Sequence, residues 1–166
     1  MKILISGVKM SEAKQMLFAR NVICICIEKK ESGDYIGKIW HQYSDEPIDF
    51  DGVSEMLTLM DDLYDEWDFP QRGLEKREFH KSKDIELGSG DPNNLLIDRI
   101  QEQCGVRNIQ NKKGTLGTFM VQVKYRQNAT WQGVVIHSES NTKEDFESAM
   151  SLVNIIDNAI NATVER

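Results

Sequence analysis

A chain of 166 residues, 40% hydrophobic and 28% charged, can bury a core unaided, and its three cysteines are too few and too odd in number for a disulfide framework. No apolar run approaches the roughly 20 residues of a membrane span, and the opening MKILISGVKMSEAKQ lacks the apolar stretch of a secretory signal, so the expectation is a cytoplasmic protein with no membrane attachment. The net charge of −7 is concentrated between Asp45 and Asp68, with ten acidic residues and no Lys or Arg; this repels phosphate backbones and disfavours direct nucleic-acid binding.

In chain order, Ser11 to Ala19 reads as an opening helix. Cys24 and Cys26 then alternate within an apolar strand, which puts both sulfurs on one face. With no further ligands at metal spacing, they read as packed thiols. Glu31-Ser-Gly-Asp34 is a hairpin turn, and Tyr35, Gly37, Ile39 and His41 share one face of the returning strand. Asp45 is predicted to cap a helix with Pro47 in its first turn. Phe50, Val53, Leu57, Met60 and Tyr64 give that helix its apolar stripe.

The middle is basic at Arg72, Lys76, Arg77, Lys81 and Lys83, and LEKREFHKS fits an extra strand. GSGD at 88–91 is a break, and Asp91-Pro92 opens a helix carrying Leu95, Leu96 and Ile100. A loop over 111–117 leads to a strand in which Phe119, Val121 and Val123 alternate with polar residues. Asn128-Ala-Thr130 supplies a turn. Trp131, Gly133, Val135 and His137 repeat the face of the earlier strand. Thr142-Lys-Glu-Asp145 matches a capping box with Asp in place of Glu, ahead of a helix with Phe146, Ala149, Val153, Ile156 and Ile160 on one stripe.

A shift of 96 residues without gaps superposes two segments, with identities at Gly37/Gly133, His41/His137, Ser44/Ser140, Asp49/Asp145, Phe50/Phe146 and Asp61/Asp157. Each segment reads as strand, turn, strand, helix. The predicted fold is α+β: duplicated ββα units forming a four-stranded antiparallel sheet with two main helices packed on one face, related by a pseudo-twofold. The predicted organisation is an N-terminal ββα repeat with its leading helix over 1–70, a connecting segment with a basic strand and a short helix over 71–115, and a C-terminal ββα repeat over 116–166, together one compact domain.

The hairpin RQNATWQG at 126–133, followed by a strand and the helix FESAMSLVNIIDNAI, resembles a group of small, functionally uncharacterised proteins of clostridia and related Firmicutes. MLTLMDDLYDEWDFPQRGLEKREF is similar to a second such group. The resemblance covers about half the chain and implies a bacterial origin; it brings no activity and no catalytic residues.

No recognisable nucleophile elbow, metal motif or phosphate loop stands in the chain, so no catalytic residue, metal or cofactor is assigned and an enzyme is disfavoured. His41 with Asp49 and His137 with Asp145 fit a structural tie between strand end and helix start. His80 has no nameable partner. The leading functional expectation is an interaction module that binds an unidentified protein, or a second copy of itself as a homodimer. Its contacts would be a sheet edge and an acidic face of Asp51, Glu55, Asp61, Asp62, Asp65 and Glu66. One alternative is a small-ligand or nucleotide sensor with a polar-aromatic site at Gln127, Asn128, Trp131 and Gln132. Another is an acidic mimic of nucleic acid that inhibits a DNA-binding partner.

Overall fold

A run such as Ile23-Cys-Ile-Cys-Ile27, apolar at every position, suits a strand covered on both faces rather than one. The computed structural model, which describes residues 19–73, 95–127 and 130–164, places it at the centre of a sheet. The elements are β1 (Ile23–Glu31), β2 (Asp34–His41), β3 (Ile48–Asp51), α1 (Val53–Trp67), β4 (Arg72–Gly73), α2 (Leu96–Cys104), β5 (Gly117–Gln127), β6 (Thr130–His137), β7 (Thr142–Phe146) and α3 (Ala149–Val164). Six strands form one antiparallel sheet in the order β3-β2-β1-β5-β6-β7, and the two-residue β4 adds a parallel pairing to β5. The predicted opening helix at 11–19 (save Ala19), the LEKREFHKS strand, the GSGD break, the Asp91-Pro92 helix start, His80 and Asn128 lie outside the described residues.

The fold is α+β, but the expectation of a four-stranded sheet with two main helices is overturned: the antiparallel sheet has six strands, and three helices stand among the described residues. The extra strands are β3 and β7, both read from sequence as helix entries. Ile48-Asp-Phe-Asp51 alternates apolar and polar in the two-residue period of a strand, with Phe50 buried and its neighbours half-buried or exposed. The supposed capping box Thr142–Asp145 is exposed edge strand, paired through its backbone to β6 from Gly133↔Phe146 to His137↔Thr142. Capping is done by other residues. Ser148 Oγ accepts the Ser151 N–H at 3.0 Å at the start of α3. Asp34 Oδ1, reaching over from the hairpin turn, accepts the Val53 N–H at 2.9 Å and the Tyr35 N–H at 2.8 Å. Neither Asp45 nor Pro47 touches the helix start: Asp45 is ion-paired to Arg107 at 2.9 Å.

The two halves follow one plan. Shifting by 96 residues carries β2 onto β6 end for end, and a bulge at Ile27/Lys29 in β1 onto one at Val123/Tyr125 in β5. The bulge explains the shared glycines. A Cβ on Gly37 would lie 2.0 Å from Cys26 O and 2.9 Å from Phe50 Cζ; one on Gly133 would lie 2.0 Å from Gln122 O and 2.9 Å from Phe146 Cζ. These glycines admit a bulged carbonyl and a phenyl ring, and not a helix, as strand glycines at bulges do. Between the halves, β1 pairs with β5 from Ile23↔Val121 to Ile27↔Gly117, so Cys24 faces Met120, its own counterpart under the shift.

Both sheet faces are covered. On one lie α1 and α3, packed on Ile25, Ile39, Phe119, Val121 and Val135, all at most 1% exposed. On the other, Cys24, Cys26, Met120, Val134 and Ile136 meet Ile109 from the segment that follows α2. Arg107 N–H donates to Gln42 O at 2.7 Å, and Lys112 Nζ sits 4.1 Å over the Trp40 ring, so that segment is held across the sheet at both ends. Each half also grips the helix of the other. The Tyr35 hydroxyl donates to Asp157 on α3. Arg126, its side chain 3% exposed, donates to Asp61 at 3.2 Å and Asp65 at 2.8 Å on α1, and to Pro70 O at 2.7 Å.

Candidate functional site

Of the residues singled out at the hairpin tip, Trp131 and Gln132 point to opposite faces of the sheet. Trp131 is buried, with its ring edge-on to Tyr64 of α1 at 5.8 Å, and so belongs to the core. Gln132, the next residue of the strand, is exposed on the opposite face. Gln127 ends β5, and Asn128 is outside the described residues.

The acidic face is similarly divided. Asp61 and Asp65 are bound to Arg126, and Glu55 accepts the Asp51 backbone N–H at 3.1 Å. Asp62 and Glu66 are exposed. Asp45 and Asp49 are paired with Arg107 and Lys38, so much of the block is matched within the chain. A shallow depression of about 570 Å³ beside β2 and β3 includes Asp51 and Glu55, but its lysines already bond to Asp49 and Glu31.

A second cavity lies elsewhere. A cleft of about 480 Å³ opens between the far end of β6, β7 and α3. Its floor is His137, 7% exposed and stacked on Phe119 with centroids 5.0 Å apart. His137 Nδ1 and Ser140 Oγ are 2.6 Å apart, and Ser140 Oγ continues to Thr142 Oγ1 at 2.7 Å. Glu139 Oε2 lies 3.2 Å from His137 Nε2, but it takes the Thr118 N–H at 3.0 Å and no hydrogen bond closes on Nε2. Nε2 is itself shut off from solvent and faces that carboxylate. Glu144, Asn158 and Thr163 add polar groups to the rim, while Val135, Ile155 and Ala162 give apolar wall.

The first half shows why the cleft exists. At the equivalent place Trp67 stands edge-on to His41 at 5.4 Å and to Tyr43 at 5.5 Å, and Leu63 is buried beside it. Under the 96-residue shift, Trp67 becomes Thr163, Leu63 becomes Ala159 and Tyr43 becomes Glu139. Three large side chains are thus replaced by two small ones and a carboxylate, on a matching backbone. His41 is held differently as well: its Nδ1 accepts the Tyr43 N–H at 3.2 Å, and burial, then Arg107, push its imidazole below the ordinary value. The predicted His–Asp ties do not form, since Asp49 bonds Lys38 and Asp145 is exposed on β7.

The Ser140–His137 contact has the elements of a nucleophile and base. Acyl transfer, however, needs donors aimed at a developing oxyanion, and the cleft offers Glu139 and Glu144 instead. Cys24 and Cys26 do share a face, 3.8 Å apart; contact with the Cys26 sulfur and burial push the Cys24 thiol up, which disfavours a thiolate at Cys24, while the same contact lowers Cys26. Among the described residues, no group of three or more His, Cys, Asp or Glu side chains is arranged to hold a metal ion, and no helix is long and apolar enough to cross a membrane. No family model, curated protein or solved structure matches this chain.

Proposed function

We propose that this protein binds a small molecule, and that its site is the cleft between β6, β7 and α3. The reading rests on one observation: the cleft is open where the same backbone, in the first half, is filled by Trp67, Leu63 and Tyr43. Filling a core gap is worth several kcal/mol, so small residues at Ala159 and Thr163 forgo stability that the fold can visibly obtain. A half-apolar cavity of several hundred Å³ with a few polar groups in its lining is the profile of a ligand pocket. This keeps the small-ligand reading of the sequence but moves it from the hairpin tip to the opposite end of β6. An acidic docking face has less support, because Asp61 and Asp65 serve Arg126.

The test is a thermal-shift screen of a metabolite library against the wild type and the double variant Ala159→Leu, Thr163→Trp, which copies the first half's packing. A ligand at 100 times its Kd adds about 2.7 kcal/mol of apparent stability. The expected hits raise the wild-type Tm and leave the filled variant unmoved. Hits that shift both proteins equally would place binding elsewhere.

A further inference from the structure

The cleft has a filled twin in the same chain, and the twin shows what fits. The 96-residue shift lays α1 along α3, its first residue Val53 on Ala149 and its last, Trp67, on Thr163. The strand beneath matches too, since β2 falls on β6 end for end. Trp67, 1% exposed, therefore marks a place over the sheet that in the second half is left to the short, exposed side chain of Thr163. The counterparts of its surroundings all line the cleft: His137 for His41, Glu139 for Tyr43 and Ala159 for Leu63.

The second observation is the kind of contact that Trp67 makes. Its ring stands edge-on to His41 at 69°, to Tyr43 at 82° and to Tyr64 at 67°. Edge-to-face packing is favourable for aromatic rings beyond the area it buries. The second half has Glu139 for Tyr43 and Ile160 for Tyr64, but it keeps the imidazole, and stacking on Phe119 holds the His137 ring in place. Val135, Ile155 and Ala162 add hydrocarbon to the same wall. A flat ring in the place of Trp67 would meet a π-system there, and a puckered aliphatic ring would not.

We propose that the cleft takes a neutral, planar fused-ring aromatic of indole size, seated against His137 as Trp67 is seated against His41. This assignment rests on the cleft being a ligand site. The contacts are the imidazole ring and the hydrocarbon wall; His137 Nε2, turned to Glu139, takes no part. A cavity of about 480 Å³ lies in the range of small-molecule pockets and admits a bicycle.

Calorimetric titration of the intact protein with two neutral probes decides the matter: indole, and decahydro-2-naphthol, a puckered bicycle of similar size. Indole is expected to bind at least about tenfold more tightly, the order of preference that aromatic contacts confer. The Ala159→Leu, Thr163→Trp variant, which supplies its own indole, is expected to lose that binding. Ala159→Leu alone, at a half-buried helix position, is expected to weaken indole at least about fivefold by crowding the site, and it gives the answer should the double variant not fold. Indole that gives no binding heat at millimolar concentration, binds no better than decahydro-2-naphthol, or ignores Ala159→Leu overturns the aromatic assignment. If decahydro-2-naphthol binds the wild type and is weakened by the filling substitutions while indole does not bind, the cleft stands as a ligand site and only the aromatic falls. If the filled variants bind both probes as the wild type does, both readings fall.

Discussion

His41 and His137 occupy the same place in the two halves, yet their surroundings give them different work. His41 is sealed by Trp67 and Tyr43, and its Nδ1 accepts a backbone N–H, an arrangement that needs the neutral ring. With its folded value depressed by burial, the unfolded chain takes up a proton first as pH falls. The stability that neutral His41 contributes is then complete above about pH 6.5 and drains away as pH drops below it toward the folded value. His41→Gln is therefore expected to flatten the loss of Tm between pH 7 and pH 5 relative to wild type. Parallel Tm–pH curves for the two proteins would show that His41 carries none of it.

At this scale the paired histidines, the paired glycines and the strand face of Trp131 were legible, because each has a counterpart under the 96-residue shift. The cleft escaped notice because it is made of absences. Its signature, Trp67 against Thr163, sits just past the segment in which the identities cluster, and a lost side chain leaves no periodicity to read.

At the level of elements, the helices and inner strands follow from their apolar spacing, whereas β7 does not. Thr142-Lys-Glu-Asp145 has no alternation, since an edge strand with an exposed run is held by its backbone ladder, and four polar residues before a helix imitate a cap. The grip of one half on the other's helix was equally hidden, although the Asp61/Asp157 identity belongs to it: one aspartate meets Arg126 and the other Tyr35. The Arg126 clamp has an asymmetric energetics. Removing the acids, as in Asp61→Asn with Asp65→Asn, strands a guanidinium that is 3% exposed, and breaking a buried pair in this way costs about 3–5 kcal/mol. Arg126→Met leaves two carboxylates that are 33% and 47% exposed and stay hydrated, so its cost is expected to be smaller. Urea unfolding of the three proteins checks the order; a double acid variant more stable than Arg126→Met contradicts the account.

Across the whole molecule, each half is wired locally, strand to neighbouring strand, and the halves meet along five register pairs between β1 and β5. Cys24 and Met120, partners at that seam, are 96 residues apart in the chain. The seam is thus a binding interface whose two sides share one polypeptide, and that covalent link makes their association intramolecular. Cutting the chain between residues 73 and 95 should turn folding into association. Fragments 1–84 and 85–166, each alone, are expected to lack the full strand signal in circular dichroism. Mixed, they should recover it at a rate that rises with concentration, while the uncut chain refolds at a rate independent of it. A native spectrum from either fragment alone would show that the seam is dispensable. If it is not, the connecting segment acts as a tether that keeps two halves, each with an exposed central strand, from ever having to find each other in dilute solution.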